Sequence, residues 1–210
     1  MIDKRAVINR PVSRHNINMK YKTVKRAIDV VISVLAIPVL MPLLVLIAVL
    51  ICVDSRGSPV FRQERRGEGG RPFTCYKFRT MKTDAPHYMT KSEMTDSSLY
   101  LTRAGKWLRK SSLDELPQLF NVLKGDMSLI GPRPVIDRDE KLLELRSLYG
   151  AQKAKPGITG LAQVCGRDML SPNEKAMLDR FYTQYMSFGS DLVIFLYTIE
   201  KVIGMKNVKH

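Results

Sequence analysis

The sequence predicts an α+β protein, mostly helical. A small domain carrying one short β-hairpin is anchored by a Pro-kinked, re-entrant apolar helix. Three observations predict it. A charge-free apolar run, 30–53, is broken only by Ser33, Pro38 and Pro42. Two alternating segments flank a GEGG turn, and later segments repeat apolar residues at helical spacing.

The basic segment YKTVKR (21–26) opens the first element as an amphipathic start, and the apolar run follows directly. Its 24 residues would make a helix about 36 Å long, enough for a hydrocarbon core of about 30 Å. It is too long, and begins too late in the chain, for a secretory leader. Pro38 and Pro42 each remove a helical N–H and crowd the preceding turn. Either half alone, such as 30–41 at about 18 Å, is too short to cross. The flanks are equally basic, with eight Lys/Arg in 1–28 and eight in 54–82. A spanning helix carries its positive charge on one side. Equal flanks instead fit a kinked hairpin that enters one leaflet and returns, with anionic lipid headgroups at both ends. An ordinary single span and a buried core helix are the alternatives.

PVFRQERRG and RPFTCYKFRTM read as two strands of a hairpin, with Phe73, Cys75, Lys77 and Arg79 alternating against Thr74, Tyr76, Phe78 and Thr80. Residues 83–102 form a polar loop. Ala104–Lys110 is a short helix with Trp107 and Leu108 inward. From 111 the chain predicts a helix with Leu113, Leu116, Phe120 and Leu123 on one face, ended by Gly125. Gly131-Pro132-Arg133-Pro134 is a stiff loop carrying one arginine. An amphipathic helix from Asp137 to Leu148 closes at Gly150. KPGITGLAQVCGR (155–167) is a Gly-punctuated loop and strand. Pro172–Phe188 is helical again. The apolar set Leu192, Val193, Phe195, Leu196, Ile199, Val202 and Ile203 marks a last amphipathic helix, either core or interfacial. Three domains follow: a basic extension at 1–20, the re-entrant membrane segment at 21–54, and a catalytic domain at 55–210.

The net charge of +14 is unevenly placed, with +11 in residues 1–82 and +3 in 83–210. The excess seeks anions, and nucleic acid, anionic lipid or a phosphorylated substrate would each serve. The scattered Cys52, Cys75 and Cys165 make neither a disulfide framework nor a zinc site. His15, His87 and His210 have no partners that would make a triad, and no P-loop, GxGxxG, HExxH or GxSxG is present.

Carboxylates and arginines remain. Ser112-Leu113-Asp114-Glu115 can be read as a capping box, in which Glu115 merely satisfies a helix start and Asp114 complements the macrodipole. Arg79, Arg109, Arg133 and Arg167 favour chemistry instead, because guanidinium groups on stiff backbone suit phosphate. A carboxylate can attack phosphorus covalently, and an anionic nucleophile meeting an anionic diphosphate calls for Mg²⁺.

KFRTM (77–81), SSLDELPQLFNVLKGDMSLIGPRP (111–134) and KPGITGLAQVCGR (155–167) closely resemble the bacterial sugar transferases, the monotopic phosphoglycosyl transferases. The resemblance runs from about Tyr21 to the end and includes the Met41-Pro42 kink. It implies transfer of a phosphosugar from a UDP-sugar to undecaprenyl phosphate, with release of UMP, at the cytoplasmic face of the bacterial inner membrane. It implies Asp114 as nucleophile and ligand of Mg²⁺, with Glu115 as its catalytic partner. It further implies Arg79, Thr80, Arg109, Arg133, Gln163 and Arg167 as substrate contacts. Where members often read Trp-Ala-Gln this chain has Leu161-Ala162-Gln163, and Cys165 stands where Asn is frequent. These variants, with the loop at 94–101, resemble members that use N-acetylated 6-deoxyhexoses. A homodimer is one reading of the assembly, and nucleic acid is not expected as a partner. A non-catalytic, membrane-anchored binder of anionic lipid or polyanion is the competing class.

Overall fold

The computed structural model describes residues 19–85 and 97–204. His15, His87, His210, most of the basic extension and most of the loop at 94–101 lie outside them. One long helix, α1 (Met19–Asp54), holds both the basic start and the whole apolar run, with Pro38 and Pro42 inside it. It is long and apolar enough to cross a membrane. Lys25, Asp29, Ser33, Ile37, Leu44, Ile47 and Ile51 form its single buried stripe. The other faces expose Val31, Leu35, Val39, Val45, Val49 and Val53. A soluble protein rarely leaves so large an apolar surface to water.

Both ends of α1 dock on the same body. At the N-terminal end, Arg26 donates to the carbonyls of Val122 (2.5 Å) and Leu123 (3.0 Å), and Asp29 accepts from the Leu129 N–H at 3.2 Å. At the C-terminal end, Leu44, Ile47 and Ile51 pack against Phe78 and Leu108.

β1 (Val60–Arg66) and β2 (Pro72–Phe78) pair antiparallel from Val60↔Phe78 to Arg66↔Pro72, around a short 3-10 turn at Glu68–Gly70. This is the expected hairpin. Next, α2 (Arg103–Ser111) starts at a Thr102 cap and lies against the end of β2. A Cβ at Gly105 would meet the Thr80 carbonyl oxygen at 1.9 Å, so only glycine permits that approach. Leu108 is buried as expected, but Trp107 is 52% exposed. The two are neighbours in sequence and so about 100° apart around the helix, and α1 covers the Leu108 side.

The single helix expected from 111 is two pieces. Ser112 takes a left-handed conformation (φ 58°) and ends α2, a 3-10 turn covers Leu113–Glu115, and α3 (Gln118–Lys124) begins after Pro117. The break resets the helical phase, so the buried face of α3 is Gln118, Leu119, Asn121 and Val122, while Phe120 is exposed.

β3 (Ser128–Ile130) pairs in parallel with β4 (Gly157–Thr159), a contact between segments too short to register as strands by pattern. α4 (Glu140–Tyr149) starts three residues later than the sequence suggests and ends at Gly150. Leu161–Cys165, expected as strand, is a short helix, α5. α6 (Pro172–Tyr185) carries a capping box from Ser171 to Glu174, and α7 (Phe188–Ile203) follows. α7 turns Ile194 into the core with Ile130, Leu161, Leu178 and Tyr182, and leaves Leu192, Val193, Phe195, Leu196, Ile199 and Val202 exposed.

Candidate active site

Glu115 ends the 3-10 turn, and its side chain is buried. Its Oε1 accepts from Arg133 Nη1 at 3.0 Å, Lys77 Nζ at 3.2 Å and Arg167 Nη2 at 3.4 Å. Three separate elements supply these cations: β2, the loop after β3, and the residue following α5. The capping box is not formed, because Ser112 makes no side-chain cap and Glu115 points to the cations instead. Burial alone would raise the Glu115 carboxyl, but Arg133, Lys77 and Arg167 hold it well below the usual carboxylate range.

Asp114, adjacent in sequence, shifts the opposite way. Burial and the neighbouring Glu115 charge raise its carboxyl above the ordinary value, against the pull of Lys77, Arg133 and Arg109. Arg109, itself lowered by burial and partly restored by Asp114, donates from Nε to Thr80 Oγ1 at 2.9 Å. Two carboxylates on one turn are thus driven apart: one is firmly ionised and the other is poised.

The loop that carries Arg133 is held at every residue. Pro132 O accepts from the Gly157 N–H at 2.9 Å, Arg133 O from Arg146 Nη1 at 2.8 Å and Pro134 O from Arg65 Nη1 at 3.0 Å. Val135 O takes the Arg66 N–H at 2.8 Å. A Cβ at Gly157 would lie 2.1 Å from the Gly131 nitrogen, so the β3–β4 contact requires glycine there. Arg146 is in turn locked to the buried Asp179, from Nε at 2.9 Å and Nη2 at 2.6 Å. Fixed backbone gives Arg133 a fixed guanidinium.

The residues singled out from sequence therefore separate into two sets. Asp114, Glu115, Arg133 and Arg167 gather around the pair, with Arg109 and Thr80 beside them. Arg79 is buried and turned elsewhere, donating to the carbonyls of Arg56 (2.5 Å) and Ser55 (2.6 Å) where α1 leads into β1. Gln163 donates to Ile158 O at 2.8 Å, while its buried Oε1 has no partner. Two residues went unnoticed. Lys77 lies on the Cys75 face of the hairpin, and a lysine at a core-facing alternation position was the available signal. Arg65, packed beside Arg133, is pushed down to about 10 by burial and by that neighbour. Among the described residues no group of three or more His, Cys, Asp or Glu could hold a metal by itself.

Fold and site define an α+β domain that hangs on a long apolar helix and presents a cation-ringed carboxylate pair. The chain belongs to the bacterial sugar transferase family, whose model matches residues 20–205. It is 44% identical over 163 residues to a protein of Bacillus subtilis (strain 168) named uncharacterized sugar transferase EpsL, covering 73% of this chain and 76% of that one. It is 40% identical over 195 residues to the undecaprenyl-phosphate glucose phosphotransferase of Komagataeibacter xylinus, covering 87% of this chain. An Aeromonas hydrophila protein, UDP-N-acetylgalactosamine-undecaprenyl-phosphate N-acetylgalactosaminephosphotransferase, is 38% identical over 190 residues, again covering 87% of this chain. The chain spans 36% and 44% of the lengths of these last two.

Proposed function

We propose that this chain transfers a phosphosugar from a UDP-sugar to undecaprenyl phosphate, releasing UMP, by a ping-pong route through Asp114. The single observation that carries the reading is the three-cation ring on Glu115 with the poised Asp114 beside it, in a chain of this family. The Asp114 carboxylate attacks the sugar-bearing phosphorus, the bond from that phosphorus to the bridging oxygen breaks, and UMP departs with that oxygen. An oxygen of the lipid phosphate then attacks the same phosphorus and frees Asp114, giving the polyprenyl-diphosphate sugar. Arg133, Arg167 and Lys77 neutralise the charge that gathers there. Glu115 keeps the three cations in place, and its role towards the lipid phosphate follows from that position. Arg109 reaches the pair from the Thr80 side.

Mg²⁺ fits this donor set: one carboxylate, that of Asp114, is the protein's share, because Mg²⁺ is commonly held by one or two carboxylates with substrate phosphates and waters. Bound there it would shield the diphosphate charge.

Membrane entry from one side is supported by the docking of both ends of α1 on one domain, which a helix crossing to the far face would not allow. The exposed apolar face of α7 suits an interfacial position. A soluble nucleotide sugar and a lipid phosphate then meet at headgroup depth on the cytoplasmic side. Single cysteines placed near Arg10 and near Thr83 should both label from the cytosol alone, and labelling from opposite sides would sink the re-entrant reading.

The deciding experiment measures UMP release over a panel of UDP-sugars with undecaprenyl phosphate and Mg²⁺, and looks for a phosphosugar adduct in quenched enzyme. Release that ignores the lipid acceptor, or an adduct absent throughout turnover, contradicts the mechanism. No UMP release from any sugar returns the chain to the class of membrane-anchored anion binders. The panel also names the sugar, for which the relatives' names include glucose and N-acetylgalactosamine.

A further inference from the structure

A cavity of about 330 Å³ opens at the N-terminal end of α1, apart from the carboxylate pair. Lys22, Lys25, Arg26 and Lys155 line it with a single carboxylate, Asp29, and the walls behind them are Ile130, Tyr182 and Met186. It shares no lining residue with the Glu115 ring. Two of the four cations are neutralised nearby, Lys22 by Glu68 and Lys25 by Asp191. The other two are bonded to main-chain carbonyls only: Arg26 to Val122 and Leu123, and Lys155 Nζ to Gly125 at 2.7 Å.

These contacts cap the C-terminal end of α3, where cations complement the helix dipole. Capping accounts for part of each group, since a guanidinium has five N–H donors and an ammonium three. Burial and the adjacent Arg26 charge push the Lys155 ammonium down, as expected where positive charge lacks a counter-anion. The volume is also more than capping needs, equal to about ten waters at about 30 Å³ each.

Position decides the ligand class. The α1 residues that line the cavity lie between Lys22 and Asp29, and the charge-free run with its exposed Val31 and Ile32 starts at the next residues. One turn of helix is about 5.4 Å, so the cations stand within a turn or two of the apolar surface. A ligand there must offer an anion to Arg26 and Lys155 and apolar matter to Ile130, Tyr182 and Met186. We infer that this cavity holds the phosphodiester headgroup of an anionic phospholipid, seated separately from the reacting substrates. The inference rests on the membrane reading of α1 and not on the transfer chemistry.

The test uses the full chain in bilayer nanodiscs of phosphatidylcholine with one part in about five phosphatidylglycerol, followed by native mass spectrometry after mild extraction. The expected result is one phosphatidylglycerol retained per chain, in preference to phosphatidylcholine. Lys155→Glu lowers that retention about tenfold. Lys141→Glu makes the same charge change on an exposed side chain outside the cavity and leaves retention unchanged. Lys155→Gln, the milder variant, gives an intermediate loss, so a folding defect in Lys155→Glu does not decide the matter. Retention indifferent to headgroup, or lost equally in the Lys141 and Lys155 variants, overturns the inference. So does full displacement by stoichiometric undecaprenyl phosphate, which makes the cavity an acceptor site, or by millimolar inorganic phosphate, which makes it a free-anion site. Lipid retention is read without turnover, so an inactive protein that keeps its phosphatidylglycerol counts against the transferase reading alone.

Discussion

Two buried charge clusters flank the β3 segment, and they are built to different rules. Around Asp191 the charges balance: Lys25 and Tyr21 donate to Oδ2 at 2.5 and 2.6 Å, and Tyr182 to Oδ1 at 2.7 Å. Tyr182 also stands 3.0 Å from Ile130 O. Every oxygen of that carboxylate is satisfied, and the result ties α1, α6 and α7 together. Around Glu115 three cations converge on one oxygen, and Arg109 adds a fourth near Asp114. Two carboxylates there face four cations. A balanced cluster holds helices; a surplus of fixed cations is an anion site, expensive to assemble and useful only when phosphate arrives.

The widest separation of the two comes from Asp114→Asn. Turnover, read as UMP release, should fall at least about a thousandfold, while thermal stability stays level or rises, because a buried carboxyl already raised by its surroundings is replaced by a neutral amide. Glu115→Gln should damage both quantities. With the anion removed, Lys77, Arg133 and Arg167 face one another, and urea unfolding should show a loss of about 3–5 kcal/mol with turnover down about a hundredfold. A stable, active Glu115→Gln protein would erase the distinction drawn here.

Arg146→Met leaves the buried Asp179 without its partner and frees the Arg133 carbonyl, for an expected loss of about 3 kcal/mol in urea unfolding. The KM for the UDP-sugar should rise more than kcat falls, since Arg133 would lose its fixed backbone. Asp191→Asn tests the balanced cluster: about 1–3 kcal/mol of stability is lost, and UMP release per folded molecule is unchanged. The smallest effect is on pH. Attack needs ionised Asp114, and its carboxyl is raised, so the acid limb of kcat/KM should lie above the ordinary carboxylate range near 4. Activity then rises as pH increases through that value. Arg133→Gln removes a cation that lowers the Asp114 carboxyl, so the limb should move further up, by about one pH unit or less.

Much of the fold was legible because its causes are local. The uncharged run, the alternation around GEGG, the glycine after α4 and the spacing in α6 and α7 each act within a few residues. Asp114, Glu115, Arg133 and Arg167 were legible as candidates on the same basis, and Lys77 was passed over because alternation marks a face without saying what the face meets. Trp107 and the buried side of α3 were misread where one turn of backbone, the left-handed Ser112, shifted the phase of everything after it. The parallel β3–β4 pair joins strands 27 or more residues apart, which no window of sequence can see.

The sequence by itself determined the reacting groups, the charge surplus and the apolar helix, because these are properties of composition and short spacing. Tertiary structure alone decided that Lys77, Arg133 and Arg167 meet one oxygen of Glu115 while Arg79 turns away to cap the end of α1. That choice depends on long-range packing: a clamped loop, a glycine contact between two short strands, and a helix docked at both ends.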